Sequence, residues 1–209
     1  GGAPLPTLFR SGFVAFDAPV SVEKLEIAGG GHQGGILAFG DSITHHCRWQ
    51  DTVGKLAGLE IGNGGMACDD TINARKRLES DVIALQPDLV LPLLGTNNSS
   101  ATQAMTDLKY IIRRLRSARI NVIVCSILPG PLPERAVKLN QLLRQYCRQE
   151  QILLHDWYEV MNDGNGNMKK EYGGGVHPNT RGIEVMARSF IEDPVVKKFI
   201  LQSTERKDK

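Results

Sequence analysis

The sequence predicts an α/β protein in which a parallel sheet is covered by helices on both faces. After residue 35, short apolar runs alternate with helical patterns about five times, and parallel neighbours require such crossover connections. The runs are apolar almost throughout, as in Ile36-Leu-Ala-Phe39 and Leu89-Val-Leu-Pro-Leu-Leu94, which is the pattern of strands buried on both sides. Small or polar residues stop each run. In open parallel sheets ligands bind at those carboxyl ends.

Taken in order, the first strand spans 36–39 and is broken by Gly40 and Asp41, with Ser42 where strand gives way to helix. A helix follows to about residue 55, with Trp49, Val53 and Leu56 roughly on one face. Residues 59–61 read as a second strand, ended by Gly62-Asn-Gly-Gly65, and Asp69, Asp70 and Thr71 offer N-caps for a helix to about residue 85. A third strand at 88–94 is stopped by Gly95-Thr-Asn-Asn-Ser-Ser100. Helix over 101–118, strand over 121–128, helix over 134–149, strand over 152–155, an irregular stretch and a helix over 180–190 complete the core. Residues 1–34 lack a helical period and read as an extended appendage, with short strands at 13–16 and 22–27, ahead of a domain over 35–209. The glycine run at 29–35 matches GxGxxG by letter but precedes a strand instead of following one, so it reads as a turn-forming approach.

Composition narrows the partners. Lys and Arg number 25 against 23 Asp and Glu, for a formal net charge of +2, so no footprint for nucleic acid or an anionic membrane stands out. The clusters Arg75-Lys76-Arg77 and Arg113-Arg114-Leu115-Arg116 fall in helical patterns and read as solvated faces. No apolar run approaches the roughly 20 residues of a membrane span, and no cleavable signal peptide is evident. The expectation is a soluble protein of open compartment and open oligomeric state. Cys47, Cys68, Cys125 and Cys147 have no metal-ribbon spacing and require no disulfide; Cys125 lies in an apolar run and reads as a core residue.

Four features carry chemistry: Ser42 after the first strand, Gly65 after the second, Asn97 after the third, and His177 just ahead of the last helix. Three of them have a plain structural alternative. Ser42 can be an N-cap, Asn97 a turn residue, and His177 the start of a helix. If the four converge, Ser42 attacks an acyl carbon while His177 moves its proton. The backbone N–H groups of Ser42 and Gly65 and the Asn97 amide would then surround the oxyanion, each donor worth about 3–4 kcal/mol.

Phe39-Gly-Asp-Ser-Ile-Thr44, Asn63-Gly-Gly65, Gly95-Thr-Asn97-Asn98 and Val176-His177-Pro178, in this order, resemble the four sequence blocks of the SGNH (GDSL) hydrolases. Ile127-Leu-Pro-Gly130 followed by Asn140-Gln-Leu-Leu143 resembles the platelet-activating-factor acetylhydrolase-like branch. The resemblance implies a flavodoxin-like three-layer α/β/α sandwich with a five-stranded parallel sheet. It also implies hydrolysis of small esters with no metal or cofactor, and the site roles given above.

One position departs from the family. Its aspartate three residues before the histidine is Gly174 here, and losing the acid of a Ser-His-Asp triad costs about 10⁴ in kcat, roughly 5.5 kcal/mol. Either another group orients His177, with a backbone carbonyl, Asp163 or Glu171 as candidates, or the hydrolase is impaired. The expected substrate is a short-chain ester, most simply acetyl, of a carbohydrate or of a small alcohol or lipid. A non-catalytic ligand-binding or assembly module, and an acyltransferase, stay open as alternatives.

Three motifs are set aside. His45-His46-Cys47 occupies adjacent helical positions that point apart, so the three do not close on one ion. Asp163-Gly-Asn-Gly-Asn167 starts like a calcium loop but has Met168 and Gly174 at the sixth and twelfth places, and reads as a polar turn. Asn97-Asn-Ser99 matches a glycosylation acceptor, where a glycan would block the expected pocket.

Overall fold

A computed structural model describes residues 34–197; the expected strands at 13–16 and 22–27, and nearly all of the appendage, lie outside them. Five strands, β1 (Ile36–Gly40), β2 (Ile61–Gly65), β3 (Leu89–Leu93), β4 (Asn121–Cys125) and β5 (Leu153–His155), form one sheet. Its order is β2-β1-β3-β4-β5, and every neighbouring pair is parallel. The helices are α1 (Ser42–His45), α2 (Trp49–Ala57), α3 (Thr71–Asp81), α4 (Ala101–Ser117), α5 (Pro133–Gln149), α6 (Trp157–Met161) and α7 (Thr180–Glu192), with a two-stranded hairpin β6 (Gly173–Gly174) and β7 (His177–Pro178) before α7.

Strand alternation divides the core into two layers. Leu37, Phe39, Val90, Val122 and Val124 meet α3, α4 and α5 on one face, while Ile36, Ala38, Leu91, Ile123 and Cys125 meet α2, α6 and α7 on the other. Both faces being covered, no strand alternates apolar with polar. The caps follow the expected chemistry: Asp70 accepts from Asn73 N at the start of α3, and Ser100 from Gln103 N at the start of α4.

Several expected elements differ: α3 ends at Asp81 rather than about 85, and the expected irregular stretch after β5 holds α6 and the β6–β7 hairpin. The helix expected to reach residue 55 is two, because Arg48 takes a left-handed conformation (φ 50) between α1 and α2. Trp49 Nε1 donates to Thr44 Oγ1 across the break at 3.1 Å, and Trp49 and Val53 are buried while Leu56 is exposed. The second strand is not 59–61 but Ile61–Gly65, the glycine-rich run itself, since it pairs residue for residue with β1. Bare backbone suits that place: a Cβ on Gly64 would lie 3.0 Å from the Ala38 carbonyl oxygen. β4 ends at Cys125, not 128, because the Asn140 side chain takes over the backbone of Ile127, accepting from its N–H at 3.0 Å and donating to its carbonyl at 2.9 Å.

The end of α7 is fixed by a half-buried trio centred on buried His155: its Nδ1 lies 2.9 Å from Asp193 Oδ2, and its Nε2 lies 3.3 Å from Ser189 Oγ. This is a structural knot. Ser189 donates to the Met186 carbonyl, and the His155 ring is packed edge-on against Trp157 and Phe190.

Asn140 has 0% exposure, so Asn140→Ala leaves two buried backbone groups of Ile127 unpaired. The expected loss is about 2–4 kcal/mol in urea unfolding; a change under about 0.5 kcal/mol would show that Asn140 does not hold the end of β4.

Candidate active site

The chain leaves β1 for β2 on one side and returns for β3 on the other, so the crevice between the carboxyl ends of β1 and β3 is the switch point of the sheet. Ser42 follows β1 there. It does not cap its helix, because Asp41 does so, its Oδ1 accepting from Ile43 N at 2.9 Å. The serine hydroxyl is thereby left for another partner, and Ser42 Oγ lies 2.9 Å from Nε2 of His177, which is 135 residues away in sequence. With the ring proton on Nδ1, the hydroxyl donates to Nε2. Glycine is required just before: a Cβ on Gly40 would fall 2.0 Å from Thr44 Oγ1 and 2.9 Å from the Leu93 carbonyl oxygen.

Asn97 sits on the β3–α4 loop with its side chain exposed; one amide N–H donates to the Asp69 carbonyl at 2.8 Å, which leaves the other available. Two neighbours fix that loop. Asn98 is buried and bonds Thr71 through both its amide oxygen and its nitrogen, and the Arg135 guanidinium of α5 donates to the carbonyls of Thr96 and Asn98. Burial pushes the Arg135 pKa down.

Gly65 is close by, but its N–H already donates to Asn63 Oδ1 at 2.9 Å, and a Cβ there would meet His45 N at 2.4 Å. The loop that follows holds a residue that motif reading passed over. Cys68 is exposed and has φ 60, a left-handed backbone that favours glycine, and no acceptor among the described residues takes its N–H. Residues strained in this way cluster at functional sites; the sequence offered no signal for it.

His177 stands on the β6–β7 hairpin, opposite Gly174. The hairpin is tied to α7 by Asn179, whose Oδ1 accepts from Gly182 N at 3.0 Å, whose N–H donates to the Tyr172 carbonyl at 2.8 Å, and whose Nδ2 donates to the Glu171 carbonyl at 3.1 Å. Neither expected acid reaches the histidine ring. Asp163 Oδ1 accepts from the N–H groups of Asn165 and Asn167 within its own turn, and Glu171 contributes only its backbone carbonyl, to Asn179. Nor does a backbone carbonyl among the described residues accept from His177 Nδ1. A Cβ on Gly174 would meet nothing within 4 Å.

Beneath the loops lies a buried acidic layer. Asp41 is fully buried, and its Oδ2 has no hydrogen-bond partner among the described residues; the Thr96 hydroxyl lies beside it without reaching bonding geometry. Burial pushes the Asp41 carboxyl up to about 6, helped by the nearby charge of Asp69. Burial raises Asp69 too, although Arg77 opposes the shift. Arg77 corrects the sequence reading of its cluster as a solvated face. Its side chain is only 11% exposed, and it donates to the carbonyls of Gly40 at 3.1 Å and Gly64 at 3.0 Å and to Asp69 Oδ2 at 2.8 Å.

Among the described residues no group of three or more His, Cys, Asp or Glu side chains is arranged to hold a metal. His45 instead lies with Nδ1 3.2 Å from the Gly65 carbonyl. The four cysteines are free. No described helix is long and apolar enough to cross a membrane.

The chain is thus a five-stranded parallel α/β/α sandwich in which the Ser42 hydroxyl and the His177 imidazole meet beyond the end of β1. Residues 38–185 match the GDSL-like lipase/acylhydrolase family, and the chain belongs to that family. Solved structures share the fold: a GDSL-like lipase from Bacteroides thetaiotaomicron (TM-score 0.68, 21% identity, covering 82% of this chain and 89% of that one); a lipase/acylhydrolase from Enterococcus faecalis (0.67, 21%, 81% and 96%); and the acetylxylan esterase Axe2 from Geobacillus stearothermophilus (0.64, 18%, 78% and 94%). No curated protein matches.

Asp41 gives a signed pH dependence. Its folded pKa of about 6 exceeds the usual 3.8, so the folded state holds the proton more tightly. Stability is full below pH 3.8 and falls as pH rises through about 6, by about 3 kcal/mol. Asn keeps the cap oxygen without the charge. Asp41→Asn is therefore expected to exceed wild type by up to about 3 kcal/mol at pH 8 and to gain little at pH 4, read by urea unfolding at both values. An equal difference at the two pH values would exclude a buried carboxylate as the cause.

Proposed function

We propose that the chain is a serine esterase that removes short acyl groups, acetyl foremost, from a carbohydrate or a small alcohol or lipid. The observation that carries this reading is the 2.9 Å approach of Ser42 Oγ to His177 Nε2 at the switch point of the sheet. Ser42 Oγ bonds to the ester carbon as its proton passes to Nε2. The oxyanion is met by the Ser42 N–H and the free Asn97 amide N–H. With the Gly65 N–H engaged by Asn63, we assign the third donor to the Cys68 N–H. Collapse breaks the bond to the leaving oxygen, which takes the proton from Nε2; water then repeats both steps on the acyl-enzyme.

Short acyl groups suit the rim. The β4–α5 loop closes against the residue before His177, since a Cβ on Gly130 would touch Val176 Cγ1 at 2.9 Å. Among the described residues, Met66 and Leu132 are isolated exposed large apolar side chains on the loops of this edge. The fold shared with Axe2, an acetylxylan esterase, supports an acetylated carbohydrate by analogy alone. The open Nδ1 favours a second element of the reading, a basal rate far below that of a complete triad.

With p-nitrophenyl acetate, Ser42→Ala is expected to fall to the uncatalysed background; equal rates in variant and wild type would remove Ser42 as nucleophile. Gly174→Asp faces open space and sits across the hairpin from His177, where paired Cβ atoms are about 4.5–5.5 Å apart. It is expected to raise kcat by orders of magnitude, up to about 10⁴, with little change in KM. An unchanged kcat would mean that the histidine is already oriented.

A further inference from the structure

A general base that works through Nε2 needs a group at Nδ1 to fix the tautomer and the ring and to stabilise the imidazolium. No described residue of this chain supplies one. The ring is exposed, Asp163 and Glu171 are committed elsewhere, and the position opposite it on the hairpin is a glycine. The surroundings are open in a definite way. Apart from its chain neighbours, a Cβ on Gly174 or Gly175 would have no heavy atom within 4 Å, so the hairpin position across from His177 admits a small group. The foot of the hairpin is held by the Tyr172 carbonyl, which accepts from Asn179 N at 2.8 Å.

We propose that a carboxylate from outside the protein docks at Gly174 and accepts the Nδ1–H of His177, completing the catalytic set. It is either a small carboxylate ion or the carboxylate of an ester that carries its own acid group. The inference rests on the esterase reading of Ser42 and His177 and, where the ester is the source, narrows its substrate class to esters bearing a carboxylate. The carboxylate takes no proton. It accepts a hydrogen bond from Nδ1–H while Nε2 receives the Ser42 proton, and the positive charge of the imidazolium is then shared with it. Nothing is consumed, and the atoms of the acyl transfer balance without it.

The test uses the full chain and four arms. Sodium formate, against sodium chloride at equal ionic strength, is titrated into wild type, Gly174→Asp and Ser42→Ala with p-nitrophenyl acetate; wild type is also assayed with the p-nitrophenyl half-ester of glutaric acid. Saturable activation of wild type by formate, by about 10–100-fold, with none in Gly174→Asp, is the expected result. If the substrate is the source, the half-ester turns over without formate, and formate adds nothing; if the ion is the source, both esters need it. Formate without effect on wild type, with the half-ester no faster than the acetate, overturns the proposal, whether the rates are high or nil. A fluorophosphonate probe keeps the two readings apart. Labelling of wild type but not Ser42→Ala upholds the nucleophile when formate fails, whereas formate activation that survives in Ser42→Ala overturns both.

Discussion

The Arg77 guanidinium is the interaction on which the site rests. At the carboxyl edge β1 and β2 part, one turning into α1 and the other into the loop before α3, and the Gly40 carbonyl there accepts from Met66 N at 3.0 Å with a lone pair to spare. Arg77, reaching back from α3, takes the carbonyls of Gly40 and Gly64, one from each strand, while the Asp69 carboxylate balances its charge. It lies over the Phe39 ring, 4.4 Å from its centroid, which shields the group from water. Buried backbone acceptors without partners are costly, and a planar fork of donors reaches several at once. Arg135 does the same for the third loop through Thr96 and Asn98. Two arginines from opposite ends of one helical layer thus hold the three loops that present Ser42, Cys68 and Asn97.

The same region carries charge that stability alone does not favour. Asp41 and Asp69 each have a buried oxygen without a partner among the described residues, as does Thr96, and burial raises both carboxyls. These residues adjoin Ser42, Cys68 and Asn97 in sequence. Natural proteins retain such tension mostly where it serves the site. Asp41 serves it directly, because its cap on α1 relieves the neighbouring serine of that bond and leaves Oγ to the imidazole.

The histidine is held differently from the serine. Its backbone is fixed by the hairpin and by the Asn179 cap of α7, and α7 packs on α2, yet no described residue takes its Nδ1. A rigid mount with an open edge localises any weakness of the reaction to one nitrogen. The fold around it is complete, and the family to which the chain belongs is defined by the whole of residues 38–185, not by that nitrogen.

Much of this was legible in the residues. Alternating apolar runs and caps such as Asp70 and Ser100 determine the order of strands and helices, because hydrophobic period and capping act over a few residues. The motif residues Ser42, Asn97 and His177 could be singled out for the same reason: their chemistry is written in the side chain. Other features depend on distant backbone. That Gly62 to Gly65 form a strand follows from the ladder with β1; that Arg48 breaks a helix follows from how Trp49 packs under Thr44; that Arg77 is buried follows from carbonyls two strands away. The commitment of Asn63 to Gly65, and the failure of Asp163 and Glu171 to reach His177, are likewise matters of placement. By itself the sequence determined which elements form and which groups can react. Only the tertiary structure decided which of them meet, because hydrogen-bond partners and burial are set by contacts between segments that lie apart along the chain, by 37 residues for Arg77 and Gly40 and by 135 for Ser42 and His177.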